Sequence, residues 1–383
     1  MLPWVVYERR MRWLPAVVLM AACSGAVQDL DVDGGSGGGV GGGDAAGGGS
    51  AGGGGSGTGG GVAGTGGGSA GGGSAGGGSA GGGAAGGGAA GGGSGGSGGG
   101  AASCANITGD RRTQVCLRWN CDRMDRSEGT WNGMLAPQCV AGDMTAAARA
   151  NALKLINLYR FIADLPAVTT SAMRDAAAQE CALMMDANNM LDHSPPSTWA
   201  CYTATGAMAA GTSNICSGRA VGCIDLYMSD FGAGNASSLG HRRWLLSNSL
   251  GPVGIGGTPG GSCHWVIGGS GNAGKAWVAW PPPGPVPLAA INIPGVPSIN
   301  STGWSVQGYS TNVNNATVTV TDNGQSLPVT TSNLLPNYGS SSAIKFIPMG
   351  WAAQAGHTYQ VTVSGGSLAS PISYSVQVEA CPP

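Results

Sequence analysis

The chain predicts an α+β unit followed by an all-β sandwich, both carried behind a long disordered glycine-rich linker. Three observations lead there. Apolar residues recur at helical spacing between Thr145 and Leu191, and short strand-like runs follow from Gly251. Beyond Pro285 no helical period appears, only alternating or β-branched runs separated by turns. The segment from Gly34 to Gly100 holds 43 of the 75 glycines and almost no side chains that could be buried.

Composition narrows the function classes. Charged residues make up 9% of the 383 positions and the net charge is −2, against roughly 25% charged in an ordinary soluble protein. No Lys/Arg cluster provides an electrostatic footprint for nucleic acid. There are 11 cysteines, and an odd number in an exported chain leaves one with a separate task. Cys23 is that one. The others, from Cys104 to Cys381, suit disulfides in an oxidising compartment. A zinc site would call for close Cys pairs, and the nearest spacings, Cys116 to Cys121 and Cys216 to Cys223, are too wide.

Residues 1–22 read as an export signal. Arg9, Arg10 and Arg12 form its positive region, and Trp13 to Ala22 an uncharged apolar run. Ten residues cannot span a bilayer core, which takes roughly 20 as a helix. The run ends in Met20-Ala21-Ala22-Cys23, which resembles a bacterial lipobox with Met20 where Leu is usual. The resemblance implies lipidation of Cys23 and a membrane partner through that anchor. Ser24 after the cysteine points to the outer membrane. The alternative is ordinary cleavage after Ala22. Residues 23–103 then act as a tether, and the glycine-rich part spans roughly 45 Å as a coil. No Gly-X-Y period with proline occurs, which excludes collagen.

Residues 104–144 form a cysteine-rich lead-in. Cys104, Cys116, Cys121 and Cys139 lie among Trp119 and Trp131. Four cysteines allow three pairings, and a small self-stapled module is expected.

In residues 145–283, Ala152, Leu155, Ile156, Tyr159 and Ala163 share one helical face over Thr145–Leu165, ended by Pro166. Ser171–Leu191 reads as a second helix, with Met173, Ala177, Met184 and Ala187 on one side. Asp225–Phe231 reads as a short third. Gly254-Ile255-Gly256, His264-Trp265-Val266-Ile267 and Ala276-Trp277-Val278-Ala279 read as strands. Gly268-Gly269-Ser270-Gly271 reads as a hairpin loop rather than a phosphate cradle.

Five segments in this region carry a family resemblance. Asn157-Leu158-Tyr159-Arg160 is followed by Leu165-Pro166. Gln179 to Met190 is followed by His193-Ser194-Pro195-Pro196. Then come Ser213-Asn214-Ile215, Leu239-Gly240-His241-Arg242-Arg243-Trp244-Leu245-Leu246, and Gly251 to Gly256. In this order they resemble the CAP superfamily, the group of cysteine-rich secretory protein, antigen 5 and pathogenesis-related 1. The resemblance implies an α-β-α sandwich with a cleft floored by two histidines and, in many members, two acids. His193 and His241 match the histidines. Ser213 stands where the family has glutamate in its G-E-N segment, beside Asn214, and Asp230 is a stand-in for the second acid.

Two imidazoles can hold one divalent ion, such as zinc, through neutral nitrogens, so His193 and His241 are candidate ligands. Catalytic zinc normally has three protein ligands. General-base hydrolysis needs a group that takes a proton near neutral pH, and one histidine would serve. The structural alternatives are a helix-end His193 bonded to backbone and a His241 packed beside Trp244. No G-x-S-x-G elbow and no phosphate-binding loop motif is present. His264 and His357 read as structural.

Residues 284–383 contain runs at Trp304–Val306, Ala316–Thr321, Ala343–Ile347, Thr358–Val363 and Ser373–Val378, with turns at Asp322-Asn323-Gly324 and Ala355-Gly356. Trp280-Pro281-Pro282-Pro283-Gly284-Pro285 is a stiff connector. About seven strands in roughly 95 residues suggest an immunoglobulin-like sandwich serving as a support or binding module. Cys381 clips the terminus, with the central unit as the expected anchor. The expected function is a lipid-anchored, non-enzymatic module for a lipid or extended apolar ligand, because Ser213 replaces the cleft glutamate. The alternative is a histidine- or metal-dependent hydrolase of cell-wall or peptide substrate at His193 and His241.

Overall fold

The computed structural model describes residues 107–383. The export signal, Cys23, the tether and Cys104 lie outside the described residues. The architecture is mixed α+β with three sheets.

The lead-in opens with helix α1 (Arg111–Asp122), capped by the Asp110 side chain accepting from Thr113 N at 2.8 Å. Its apolar face, Val115 and Trp119, is buried against the helix Ala146–Ile162 and the strand Gly284–Pro287. A lone amphipathic helix has to find such a partner, and two of the lead-in's cysteines are bonded outside it. Cys116 pairs with Cys381, and Cys139 pairs with Cys201 beyond α3. The C-terminus is therefore clipped to the lead-in, not to the central unit.

Helix α2 (Ala146–Ile162) begins at Thr145, whose hydroxyl accepts from Ala148 N, and buries Leu155, Ile156, Tyr159 and Ile162. Helix α3 (Ala172–Asn188) ends at Asn189 in the left-handed region, φ 46°. Then follow α4 (Ala204–Gly211), β1 (Ser213–Cys216), α5 (Ala220–Ser229), α6 (Gly240–Leu245), β2 (Gly254–Gly257) and β3 (Ser262–Trp265). Helix α5 starts five residues before the Asp225 onset expected from sequence.

The strands form an antiparallel sheet in the order β1-β3-β2. Helices cover both faces. Ile215, Cys263 and Trp265 pack with Ala177, Cys181 and Ala210 of α3 and α4. Cys216 and Ile255 join the core shared by α2 and α5. Disulfides Cys181–Cys263 and Cys216–Cys223 tie each face to its helix. Glycine is required at Gly256, where a Cβ would sit 2.2 Å from the Ala178 backbone. The outer edge of β2 is closed by side chains. Asp175 accepts from Ile255 N, Gln179 bonds both polar groups of Gly257, and Arg149 donates to Ile255 O. No backbone edge is left there for another chain to pair with.

The C-terminal region has two sheets. One runs β4-β6-β10-β9, from Trp277–Trp280, Trp304–Gly308, Ser342–Pro348 and Val329–Asn333. The other runs β5-β12-β11-β7-β8, from Gly284–Pro287, Ile372–Glu379, Thr358–Ser364, Thr317–Asp322 and Gln325–Leu327. All pairs are antiparallel except β5 with β12. The two sheets share a core, with the Trp304 ring 5.8 Å from Tyr359 and Trp277 5.4 Å from Tyr374. The expected turn at Asn323-Gly324 has positive φ at both residues, 49° and 81°, which suits the tight hairpin β7–β8.

Two readings change. The strand at Trp277 pairs with β6, not with β2 or β3, because its Val278 and Trp280 belong to the apolar core of the two sheets. Gly268–Gly271 joins β3 to β4, which lie in different sheets, so it is a crossover and not a hairpin.

Candidate functional site

The site lies where three segments meet: the chain after α3, the end of α5, and the start of α6. His193 follows α3 and is partly buried. Its Nδ1 is 2.8 Å from the carbonyl of Ala210, at the end of α4. A carbonyl can only accept, so Nδ1 carries the proton and the neutral ring keeps a lone pair on Nε2. Burial holds the His193 pKa below its usual value, and the nearby His241 lowers it further.

His241 is the second residue of α6. Its Nδ1 is 2.8 Å from Oδ1 of Asp230, whose side chain is wholly buried while the His241 side chain is 15% exposed. Asp230 ends α5 in the left-handed region, φ 53°, and this turns its carboxylate back toward α6. Its other oxygen accepts from Arg242 N at 3.1 Å. Asp230 therefore supplies the orienting carboxylate that the residue types alone left unassigned. The pair again directs Nε2 of the histidine outward as an acceptor.

Behind His241 lies a polar stack. Tyr227 of α5 stacks on the His241 ring at 5.1 Å and meets His264 edge-on at 5.3 Å. Its hydroxyl donates to Asn214 O at 3.1 Å and lies 3.3 Å from His264 Nδ1. Asn214 Nδ2 donates to the His241 carbonyl at 3.1 Å. Asn214 thus supports His241 through the backbone. Ser213 is buried, and no hydrogen-bond partner meets its hydroxyl. Strand alternation places it on the Ile215 side of β1, opposite Asn214. His264 is fully buried and its pKa is pushed down to about 3 by desolvation, so it stays neutral and structural. His357 bonds Asp322 at 2.6 Å in the sandwich, far from this site in the fold.

Sequence reasoning missed Tyr227 and the role of Arg242. The usable signal was a pair of adjacent arginines directly after His241, in a chain with few charges and on a helix with no exposed stripe to hold them. Both are buried. Arg242 donates to Met228 O, Ser229 O and Gly303 O at 2.7–3.0 Å, and Arg243 donates to Ser238 O and Ser340 Oγ. Burial lowers each to about 10, which leaves them charged at neutral pH.

The donor chemistry was tested for a divalent ion. Two Nε2 lone pairs, each ring fixed by a bond at Nδ1, have the chemistry of imidazole ligands. The number falls short. Among the described residues no group of three His, Cys, Asp or Glu side chains is placed to hold one metal ion. A concavity of about 230 Å³ lies at the other end of α5, lined by Glu128, Trp131, Met144, Arg219 and Thr258. It contains neither histidine.

The disulfides are those of an oxidising, extracytoplasmic compartment. Among the described residues no helix is long and apolar enough to cross a membrane. No protein-family model, curated protein or solved structure matches the chain.

Proposed function

We propose that the chain is an exported, lipid-anchored surface protein in which a CAP-like unit bears a histidine-based hydrolytic site for cell-wall or peptide substrate. One observation carries the reading: His241 is bonded through Nδ1 to the buried Asp230 carboxylate. In this reading His241 Nε2 removes a proton from water, and Asp230 stabilises the imidazolium that forms. His193 accepts a hydrogen bond from the substrate or the same water. Neither step uses a metal ion.

The layering supports the CAP-like assignment, since helices α3 and α4 cover one face of β1-β3-β2 and α2 and α5 the other. Strand order supports an immunoglobulin-like sandwich. The sequence β4-β6-β10-β9 matches the order A-B-E-D, and β12-β11-β7-β8 matches G-F-C-C′. Lipidation at Cys23 and the outer membrane remain the proposed location.

A second reading, a binding module for an apolar ligand, is favoured by Met190 and Met208. They are 56% and 53% exposed, one in the segment leading to His193 and one on α4.

The test uses the full exported chain against p-nitrophenyl esters and purified cell-wall sacculi, with and without chelator. Turnover that falls about 10²–10⁴-fold in Asp230→Asn and His241→Ala supports the hydrolase. A wild-type protein that is inert on both, yet retains a fluorescent fatty acid, supports the binding module.

A further inference from the structure

We infer that Arg242 is a positioning residue for His241, and that through it the C-terminal sandwich holds the Asp230–His241 pair in register. The inference rests on the reading of that pair as the reactive centre.

Arg242 follows His241 on α6, and its side chain is fully enclosed. Its main-chain N–H reaches Asp230 Oδ2. Its guanidinium then reaches in two directions. Nε donates to Met228 O at 2.7 Å and Nη2 to Ser229 O at 3.0 Å. These are carbonyls of the last turn of α5, immediately before Asp230, where a helix leaves acceptors unsatisfied and favours a cation. Nη1 donates to Gly303 O at 2.7 Å and lies 3.4 Å from Ser305 Oγ, while Nη2 reaches Thr302 Oγ1 at 3.0 Å. Those groups sit where the chain enters β6 of the sandwich.

One planar fork therefore sets the distance between the end of α5, which bears Asp230, and the start of α6, which bears His241, and ties both to a third element. Among the described residues no carboxylate forms an ion pair with the guanidinium, so its placement depends on carbonyls and hydroxyls rather than on a mobile charged partner. Other charges surround the pair as well. Lys345 of β10 donates to Ala236 O and feels both Arg242 and Asp230. Arg243 binds the Leu335 and Ser340 carbonyls between β9 and β10. The sandwich thus encloses the dyad from behind and is more than a spacer. Lysine cannot replace the fork, since an ammonium has three donors on a flexible stem where arginine has five in a fixed plane.

The experiment is histidine-selective ¹⁵N NMR on the chelator-treated full chain at neutral pH, reading which ring nitrogen of His241 carries the proton. Wild type is expected to show a dominant Nδ1–H form. Arg242→Lys keeps the charge and is expected to lose at least half of that population, with the His264 and His357 signals and the far-UV circular dichroism unchanged. A folded Arg242→Lys protein with wild-type His241 signals overturns the inference. Should that variant not fold, Thr302→Val removes a single acceptor on the sandwich side. It should shift the same population in the same direction by a smaller amount, and an unchanged population there also overturns the inference. The readout needs no substrate. A tautomer shift in a protein whose wild type hydrolyses nothing retires the hydrolase reading and leaves the positioning role standing.

Discussion

The two ends of α5 are both fixed by charge, and they are fixed differently. From the N-terminus to mid-helix, carboxylates do the anchoring. Asp225 accepts both Arg123 nitrogens at 2.8 and 2.7 Å, Arg126 at 2.7 Å and the Tyr159 hydroxyl at 2.6 Å. Glu128 accepts the Val221 and Gly222 amides at the helix start. At the C-terminal end, Arg242 and Arg243 donate to carbonyls, and the single carboxylate, Asp230, is reserved for His241. A paired cluster tolerates small shifts, because ions follow one another. A guanidinium satisfied by main-chain oxygens tolerates few, because its acceptors belong to rigid elements. The second kind of anchoring lies beneath the proposed reactive histidine, and the first beneath the lead-in.

The largest expected effect is at the paired end. Asp225→Ala leaves Arg123 buried without its carboxylate and should cost about 3–5 kcal/mol in urea unfolding. A loss under 1 kcal/mol would show the cluster to be solvated, and the contrast between the ends would fail.

The next effect is pH dependence. His264 has its folded pKa depressed to about 3 from 6.5. Its contribution is therefore complete above pH 6.5 and fades as pH falls toward 3, because the unfolded chain takes up the proton first. Stability should drop by about 2–3 kcal/mol between pH 7 and pH 4.5. The depressed His193 acts in the same direction. His264→Gln should flatten most of that slope, and an unaltered slope would remove His264 from the account. A smaller effect sharpens the comparison at the helix start. Glu128→Ala removes the cap from two amides and should cost about 1–2 kcal/mol in thermal unfolding, with the His241 signals unmoved.

Much of this was legible in the residues. The period that gathers Leu155, Ile156 and Tyr159 on one face also places them in the core, and the turn residues Asn323-Gly324 mark a real hairpin. His241 and Asp230, both named as cleft candidates from the sequence, are bonded to each other. What escaped was long-range partnership. Helix α1 hid in a cysteine-rich stretch because only Val115 and Trp119 of its face are buried. Helix α4, Ala-Thr-Gly-Ala-Met-Ala-Ala-Gly, has side chains too small to show a period. The Trp277 strand reads the same whichever sheet it joins. Asn214 acts through a contact with the His241 carbonyl that no local pattern encodes.

The claim on which the rest depends is that the His193 and His241 rings share one environment, and the proton-binding midpoint of His193, followed by NMR in wild type and in His241→Gln, tests it directly. Because the His241 charge lowers the His193 pKa, the account predicts a midpoint that rises when His241 is neutralised. A midpoint that does not move would mean that the two imidazoles do not meet.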